Sequence, residues 1–385
     1  MFNTNIGKFC AANEHWQDLL TQEPYNLKIK EDGEFVIFNY DQIHSDFNNS
    51  IVREARGIIF KKNHWKNPVC WAFNKFGNYG ESYAPEINWD TAFVTEKIDG
   101  SLIKVWWDWS GGWHVSTNGT IDAFKAPIQD VKVSDFGTYF CSVVDQYYGS
   151  FENFVEDLDF NLTYMFEIVG PYNRVVVPYD KPDICFLGAR HKVTGEEYVC
   201  SNENLEKLGL NKLKCPTKWS LTSLEDCIKI AEELTWDQEG FVVVDTFGNR
   251  VKIKSPAYVL AHFARNNNVI TRKHLIRVIL MNEVEEFLCY AADYRDELLN
   301  VQKMMNAYHK VGDTLAAIAR SASRLPRKEF ASIVKLAPKV FQDLMFVNYD
   351  KDCYAREYTI SWSEDKWDRY LEEVEKLGKE YFSND

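Results

Sequence analysis

From about residue 34 to residue 255, short apolar runs rich in β-branched and aromatic side chains alternate with turn residues, the pattern of half-buried strands. Strands are predicted at 34–40, 55–61, within 93–107, at 113–117, 164–170, 174–179, 183–190, 197–200, 241–245 and 250–255. Hairpin-like turns join several of them at Gly111-Gly112, Thr194-Gly195 and Gly248-Asn249. Helical spacing predicts helices over 136–158 and 224–234. After Tyr258 the period lengthens to that of helices and stays so to the end. In the last segment Ser361 and Glu364 fit a capping box, followed by Trp367, Tyr370, Leu371, Val374 and Leu377 on one face. The fold class expected is therefore α+β: a largely antiparallel-sheet domain over residues 1–260, then an all-α domain over 261–385.

Composition narrows the picture only a little. With 45% hydrophobic and 26% charged residues, the 385-residue chain is an ordinary globular sequence of two-domain length. Aromatic residues reach 15%, which serves large cores and base-stacking platforms alike. The cluster Trp106, Trp107, Trp109 and Trp113 is read as hairpin packing before it is read as a platform. No apolar run approaches the ~18–20 residues that span a bilayer, and the start lacks a signal-peptide pattern. A soluble, cytoplasmic, monomeric protein is expected. Nine scattered cysteines without C-x-x-C or His spacing read as reduced thiols and not as a zinc site.

A formal net charge of -13 argues against non-specific coating of nucleic acid, which rests on phosphate neutralisation. The charge is uneven, since residues 259–385 hold 19 Lys and Arg against 20 Asp and Glu. The helical third is thus nearly neutral and repels a polyanion less than the rest. Its basic stretch from Arg265 to Arg277 reads equally as a phosphate contact or as a solvated helix face.

The chemistry centres on Lys97-Ile98-Asp99-Gly100, a loop between two strand-like runs. A free lysine, with a pKa of about 10.4, is neutral and nucleophilic in only about one molecule in 2,500 at pH 7. Cations at Lys252 and Lys254, within roughly 5 Å, would each disfavour its charged form by about 3 kcal/mol. The same cations suit a triphosphate whose α-phosphorus the amine attacks. The carboxylates Asp99, Glu167 and Glu239 suit Mg²⁺, directly or through water, or a ribose hydroxyl.

The ordered set Arg56-Gly57, Lys75-Phe76, Lys97-Ile98-Asp99-Gly100-Ser101, Phe166-Glu167, Glu239-Gly240-Phe241 and Lys252-Ile253-Lys254-Ser255 resembles the covalent nucleotidyltransferases, and within them the T4 RNA ligase 1 family. Residues 53–60 and 166–176 resemble two further segments of that family. The resemblance implies a nucleotidyltransferase, ATP-grasp-like ligase domain that uses ATP and Mg²⁺, with Mn²⁺ as a substitute. It implies three steps: Lys97 forms a lysyl-AMP, AMP passes to an RNA 5′-phosphate, and a 3′-hydroxyl displaces it. Carried over by position, Arg56 and Lys75 contact phosphate or the RNA end, and Gly100 lies at the nucleotide. Glu167 holds the ribose, Glu239 serves the metal or its waters, Lys252 and Lys254 take the phosphates, and Tyr258 lies near the nucleotide. The helical domain would select the RNA, a broken tRNA-like stem-loop by analogy.

Two relatives and a third class stand as alternatives. DNA ligases and capping guanylyltransferases usually carry Arg where this chain has Leu102, and they append a β-barrel. A non-catalytic RNA-binding module on a ligase scaffold is the other reading. Two departures from the family pattern concern the nucleotide site. Ser116-Thr117-Asn118-Gly119-Thr120 lacks the basic residue of the family's S-K-G segment, and Lys75-Phe76-Gly77-Asn78 lacks one aromatic.

Overall fold

The computed structural model describes residues 3–128, 130, 132–264 and 270–376. Its strands are β1 (Lys28–Asp32), β2 (Phe35–Asn39), β3 (Arg56–Lys61), β4 (Phe93–Glu96), β5 (Ser101–Asp108), β6 (Gly112–Thr117), β7 (Leu162–Val169), β8 (Asp183–His191), β9 (Glu197–Val199), β10 (Lys218–Trp219), β11 (Gly240–Val244) and β12 (Arg250–Lys254). They form three antiparallel sheets, ordered β1-β2-β3, β10-β4-β11-β12 and β6-β5-β7-β8-β9.

The two larger sheets each turn one face to helices and the other to a shared cleft, because side chains alternate along a strand. In the five-stranded sheet, Ile103 and Val105 of β5 and Tyr164, Phe166 and Ile168 of β7 pack on Tyr139, Phe140, Val143 and Val144 of the helix Phe136–Tyr148. Their neighbours Leu102 and Met165 face the other way, with Phe73 and Phe76. In the four-stranded sheet, Val94, Phe241, Val243, Val251 and Ile253 pack against Cys227 and Ala231 of the helix Leu224–Glu233. Thr95, Val242, Val244, Arg250, Lys252 and Lys254 are left for the cleft.

Several expectations shift. The helix expected over 136–158 is two helices, broken where Gly149 takes φ 84° and Ser150 caps Phe151–Val155. The run 174–179 is not a strand, since the backbone N–H groups of Val176 and Val177 donate to the Asp99 carboxylate and not to a ladder. β1 escaped prediction because its Lys-Ile-Lys-Glu-Asp sequence lies at a solvated sheet edge, where charge replaces apolar alternation. The tryptophans do pack the hairpin: Trp106 is fully buried and stacked on His114, and Trp107 meets Trp113 edge-on. All nine cysteines are free thiols.

The chain divides into two compact units, residues 1–262 and 263–385. The second is helical throughout its described residues, with Arg295–Ala322 as its longest helix and a core that includes Phe330, Val334, Leu344 and Met345. Its last helix, Glu364–Lys376, is capped by Ser363 and not by Ser361: the Ser363 hydroxyl accepts from the N–H of Lys366. Leu377 and Arg265 lie outside the described residues. Of the basic stretch, Arg272 pairs with Asp368 and Glu375, Lys273 with Asp365 and Arg277 with Glu364, so these three charges are neutralised within the unit. Among the described residues no helix is long and apolar enough to cross a membrane.

Candidate active site

The loop carrying Lys97 is held at both ends. The Lys97 N–H donates to the Gly240 carbonyl at 2.8 Å, continuing the β4–β11 ladder one residue past the strand. Gly100 then passes so close to β7 that a Cβ would overlap the Ile168 carbonyl oxygen. Between them the amine enters a cleft of about 340 Å³, within the range of small-ligand sites.

The cleft walls come from both sheets and differ in character. Phe76, Leu102, Leu187, Val199, Val242 and Val244 make its apolar surfaces. Arg56, Lys75, Lys97, Arg250, Lys252 and Lys254 line the same space with positive charge. Alternation on β12 puts Arg250, Lys252 and Lys254 on one face, and their cationic groups, with that of Arg56, gather around the Phe76 and Tyr258 rings at 5.4 to 6.0 Å. Lys75 stands over Tyr40 and Phe47 at 5.1 and 5.0 Å. Arg250 also pairs with Glu197 at 2.8 Å.

Glu239 is the hinge of the electrostatics. It is 4% exposed and its carboxylate accepts from Lys97 Nζ at 2.7 Å while Lys254 Nζ lies 3.5 Å from its other oxygen. Bare crowding of Lys97 by Lys252 and Lys254 is therefore not what the structure holds: a carboxylate stands between Lys97 and Lys254. Glu167, opposite Leu102 in the β5–β7 pairing, keeps some exposure to the cleft while its carboxyl is enclosed. Its pKa is pushed up to about 7, chiefly by burial; Lys97 draws it down, Glu239 raises it, Arg56 lowers it and Asp99 raises it.

Seven predicted residues thus meet at one cleft: Arg56, Lys75, Lys97, Gly100, Glu167, Lys252 and Lys254, with Glu239 beneath Lys97. Two do not. Asp99 is 4% exposed, with one oxygen accepting from Val176 and Val177 N–H at 2.9 and 2.7 Å and the other from the Tyr258 hydroxyl at 2.8 Å. The carboxylate expected as a metal ligand thus spends three of its acceptor positions on structural hydrogen bonds. Tyr258, expected beside the nucleotide, is 2% exposed and directs its hydroxyl to Asp99. Sequence reasoning missed Arg250, although its place two residues before Lys252 was the available signal. Among the described residues no three His, Cys, Asp or Glu side chains are grouped to hold a metal by themselves.

Comparison with known proteins agrees with the geometry. The profile of the RNA ligase family of the T4 RNA ligase 1 type matches residues 54–258, a span that takes in every site residue expected from the sequence. This chain belongs to that family. A Rhodothermus phage RM378 protein named RNA ligase is 26% identical over 73% of this chain and 75% of its own length. A protein named as a bifunctional polynucleotide kinase/RNA ligase in Autographa californica nuclear polyhedrosis virus is 27% identical over 82% of this chain. The chain spans only 46% of that viral relative. A solved archaeal ATP-dependent RNA ligase superposes with a TM-score of 0.41 at 14% identity, covering 62% of this chain and 61% of that one.

Proposed function

We propose that this member of the RNA ligase family is an ATP- and divalent-metal-dependent enzyme that seals RNA 3′-hydroxyl to 5′-phosphate ends. The observation that carries the reading is Lys97 Nζ inside a cationic, aromatic-walled cleft, bonded to a nearly buried Glu239. The apolar walls accept an adenine, and Lys252, Lys254 and Arg56 face its phosphates. Lys97, once deprotonated and released from Glu239, attacks the α-phosphorus; a P–N bond forms and pyrophosphate leaves with the electrons of the P–O bond. AMP then passes to the RNA 5′-phosphate, and the 3′-hydroxyl oxygen displaces it to give a phosphodiester and free AMP.

Glu167 and Glu239 fit a divalent cation only as partial ligands, with phosphate and water oxygens completing its shell, the usual manner for Mg²⁺. The cation would supply charge neutralisation at the phosphates. Burial, which raises the Glu167 pKa, suits a carboxyl placed to meet a ribose hydroxyl. A broken tRNA-like stem-loop is the substrate class the family resemblance favours.

The test uses α-labelled ATP and GTP with Mg²⁺. Acid-labile label from ATP, lost in Lys97→Ala, is expected; label from GTP alone points to capping chemistry, and none to a binding module. Lys254→Ala is expected to slow labelling by about 10²-fold, as loss of one preorganised charge does. Nicked RNA against nicked DNA then identifies the polynucleotide.

A further inference from the structure

The family's S-K-G basic residue is absent here, Asn118 standing in its segment, yet a lysine occupies the space behind it. Lys104 lies at the centre of β5, opposite Ser116 of β6 and Met165 of β7. It is 0% exposed, between Leu102 and Trp106 on an apolar face, and its Nζ donates to the Gly57 carbonyl at 2.5 Å. Among the described residues no carboxylate pairs with it; its charged neighbour is Arg56, and burial lowers its pKa from the ordinary lysine value. A buried ammonium without an anion is costly, and an apolar side chain would fill that strand position at no such cost.

What surrounds the amine gives the cost a use. Gly57 takes φ +72°, and a Cβ there would lie 2.6 Å from Lys104 Nζ, 2.5 Å from the Asn118 carbonyl oxygen and 3.0 Å from Asn118 Oδ1. The Arg56–Gly57 end of β3, Asn118 and the Lys104 amine therefore converge on one point. Two of these groups hold buried atoms without a hydrogen-bond partner, Arg56 Nη1 and Asn118 Oδ1, and both residues line the cleft. Buried orphans of this kind call for a partner, here an acceptor for the guanidinium and a donor for the amide oxygen. A nucleotide offers both, in a phosphate oxygen and a ribose hydroxyl.

We propose that Lys104 is a positioning residue of the nucleotide site: from the neighbouring strand it supplies the positive charge that the 116–120 segment lacks, and it holds the Arg56–Gly57 end of β3 and Asn118 toward the nucleotide. The inference rests on the adenylylation reading above. Lys104 acts through the Gly57 carbonyl and touches no ligand. Arg56 then meets a phosphate oxygen, and Asn118 accepts from the ribose.

Self-labelling with α-labelled ATP is measured against ATP concentration for the full chain, Lys104→Met, Lys104→Arg, and Lys104→Met combined with Asn118→Lys. Absence of label on the unaltered protein sinks the adenylylation reading itself, a failure separate from any failure of Lys104. With that protein active, Lys104→Met is expected to raise the ATP concentration at half-maximal rate by about tenfold, the effect of removing one charge-assisted hydrogen bond. Moving the lysine to position 118 in the double variant restores the charge but gives up the Asn118 acceptor, so a partial recovery of that loss is expected, which a space-filling role for Lys104 does not allow. Unaltered behaviour of Lys104→Met, or a double variant no better than the single one, overturns the proposal. Should circular dichroism show Lys104→Met unfolded, Lys104→Arg decides: near-normal ATP dependence supports the charge, and a loss as large as about tenfold overturns it.

Discussion

Glu167 is the residue whose environment speaks most directly about pH. Its carboxyl titrates near 7 in the folded chain instead of near the ordinary value of 4.5, with burial as the main cause. Between those values the folded state holds a proton that the unfolded chain has released, so stability falls as pH rises through this window. The contribution is whole below the unfolded value and gone above the folded one. Glu167→Gln, which stays neutral, is therefore expected to melt above the unaltered protein at pH 8 and to lose that advantage at pH 5, both without nucleotide. Equal melting differences at the two pH values would remove the assignment. Glu239 differs because it is neutralised on both sides, by Lys97 and Lys254, and so its removal leaves two cations facing each other.

At the scale of elements, the loop bearing the nucleophile is braced from below by the segment that the sequence presented as a strand. Asp99 collects the N–H groups of Val176 and Val177 and the Tyr258 hydroxyl, tying the 97–100 loop to residues 176–177 and to the helix Pro256–Ala264. An amide there keeps one acceptor but turns an NH₂ toward donors. Asp99→Asn is expected to destabilise the first unit by about 1–3 kcal/mol, the cost of buried donors left unsatisfied. Melting temperature checks this, and the Mg²⁺ concentration needed for labelling should stay unchanged, whereas a metal-ligand role would shift it. The cleft itself is an element-scale product: two sheets, each covered by a helix on one face, leave their second faces to each other.

The whole molecule is acidic, yet its charge is partitioned. Within the helical unit the cations of Arg272–Leu280 are neutralised by the acidic last helix, while Arg324, Lys328, Lys335 and Lys339 stand exposed beside Arg327, which pairs with Asp350 at 3.8 Å, and Glu329 is the one acid among residues 324–339. If RNA is the substrate, this edge offers its phosphates a landing place. Arg324→Glu with Lys328→Glu is expected to leave self-labelling intact and to weaken RNA sealing. The salt slope of RNA affinity should flatten by about 0.7 for each single-strand phosphate that a removed cation no longer neutralises. An unchanged slope would remove this surface from consideration.

Ten runs of alternating or apolar residues were legible as strands because a half-buried strand must alternate, and nine of them are strands. The tenth, 174–179, has the same apolar pattern, and only the Asp99 carboxylate, 77 and 78 residues away from the two valines, decided that their N–H groups would leave the ladder. The chemistry of an activated amine marked Lys97, Glu167, Glu239, Lys252 and Lys254, since it restricts which residue types can stand beside it, and the family resemblance added Arg56 and Lys75. Which carboxylate meets which ammonium was not legible. Asp99 lies two residues from Lys97 in sequence and is taken up by backbone, whereas Glu239, 142 residues on, receives the amine. Nothing in the sequence singles out Lys104 within the run 93–107, because nothing local tells a lysine that it will be sealed between sheets. Side-chain type and period are properties of the chain. Burial, partner and charge state depend on what the fold brings alongside, and that was decided only when the sheets closed over the cleft.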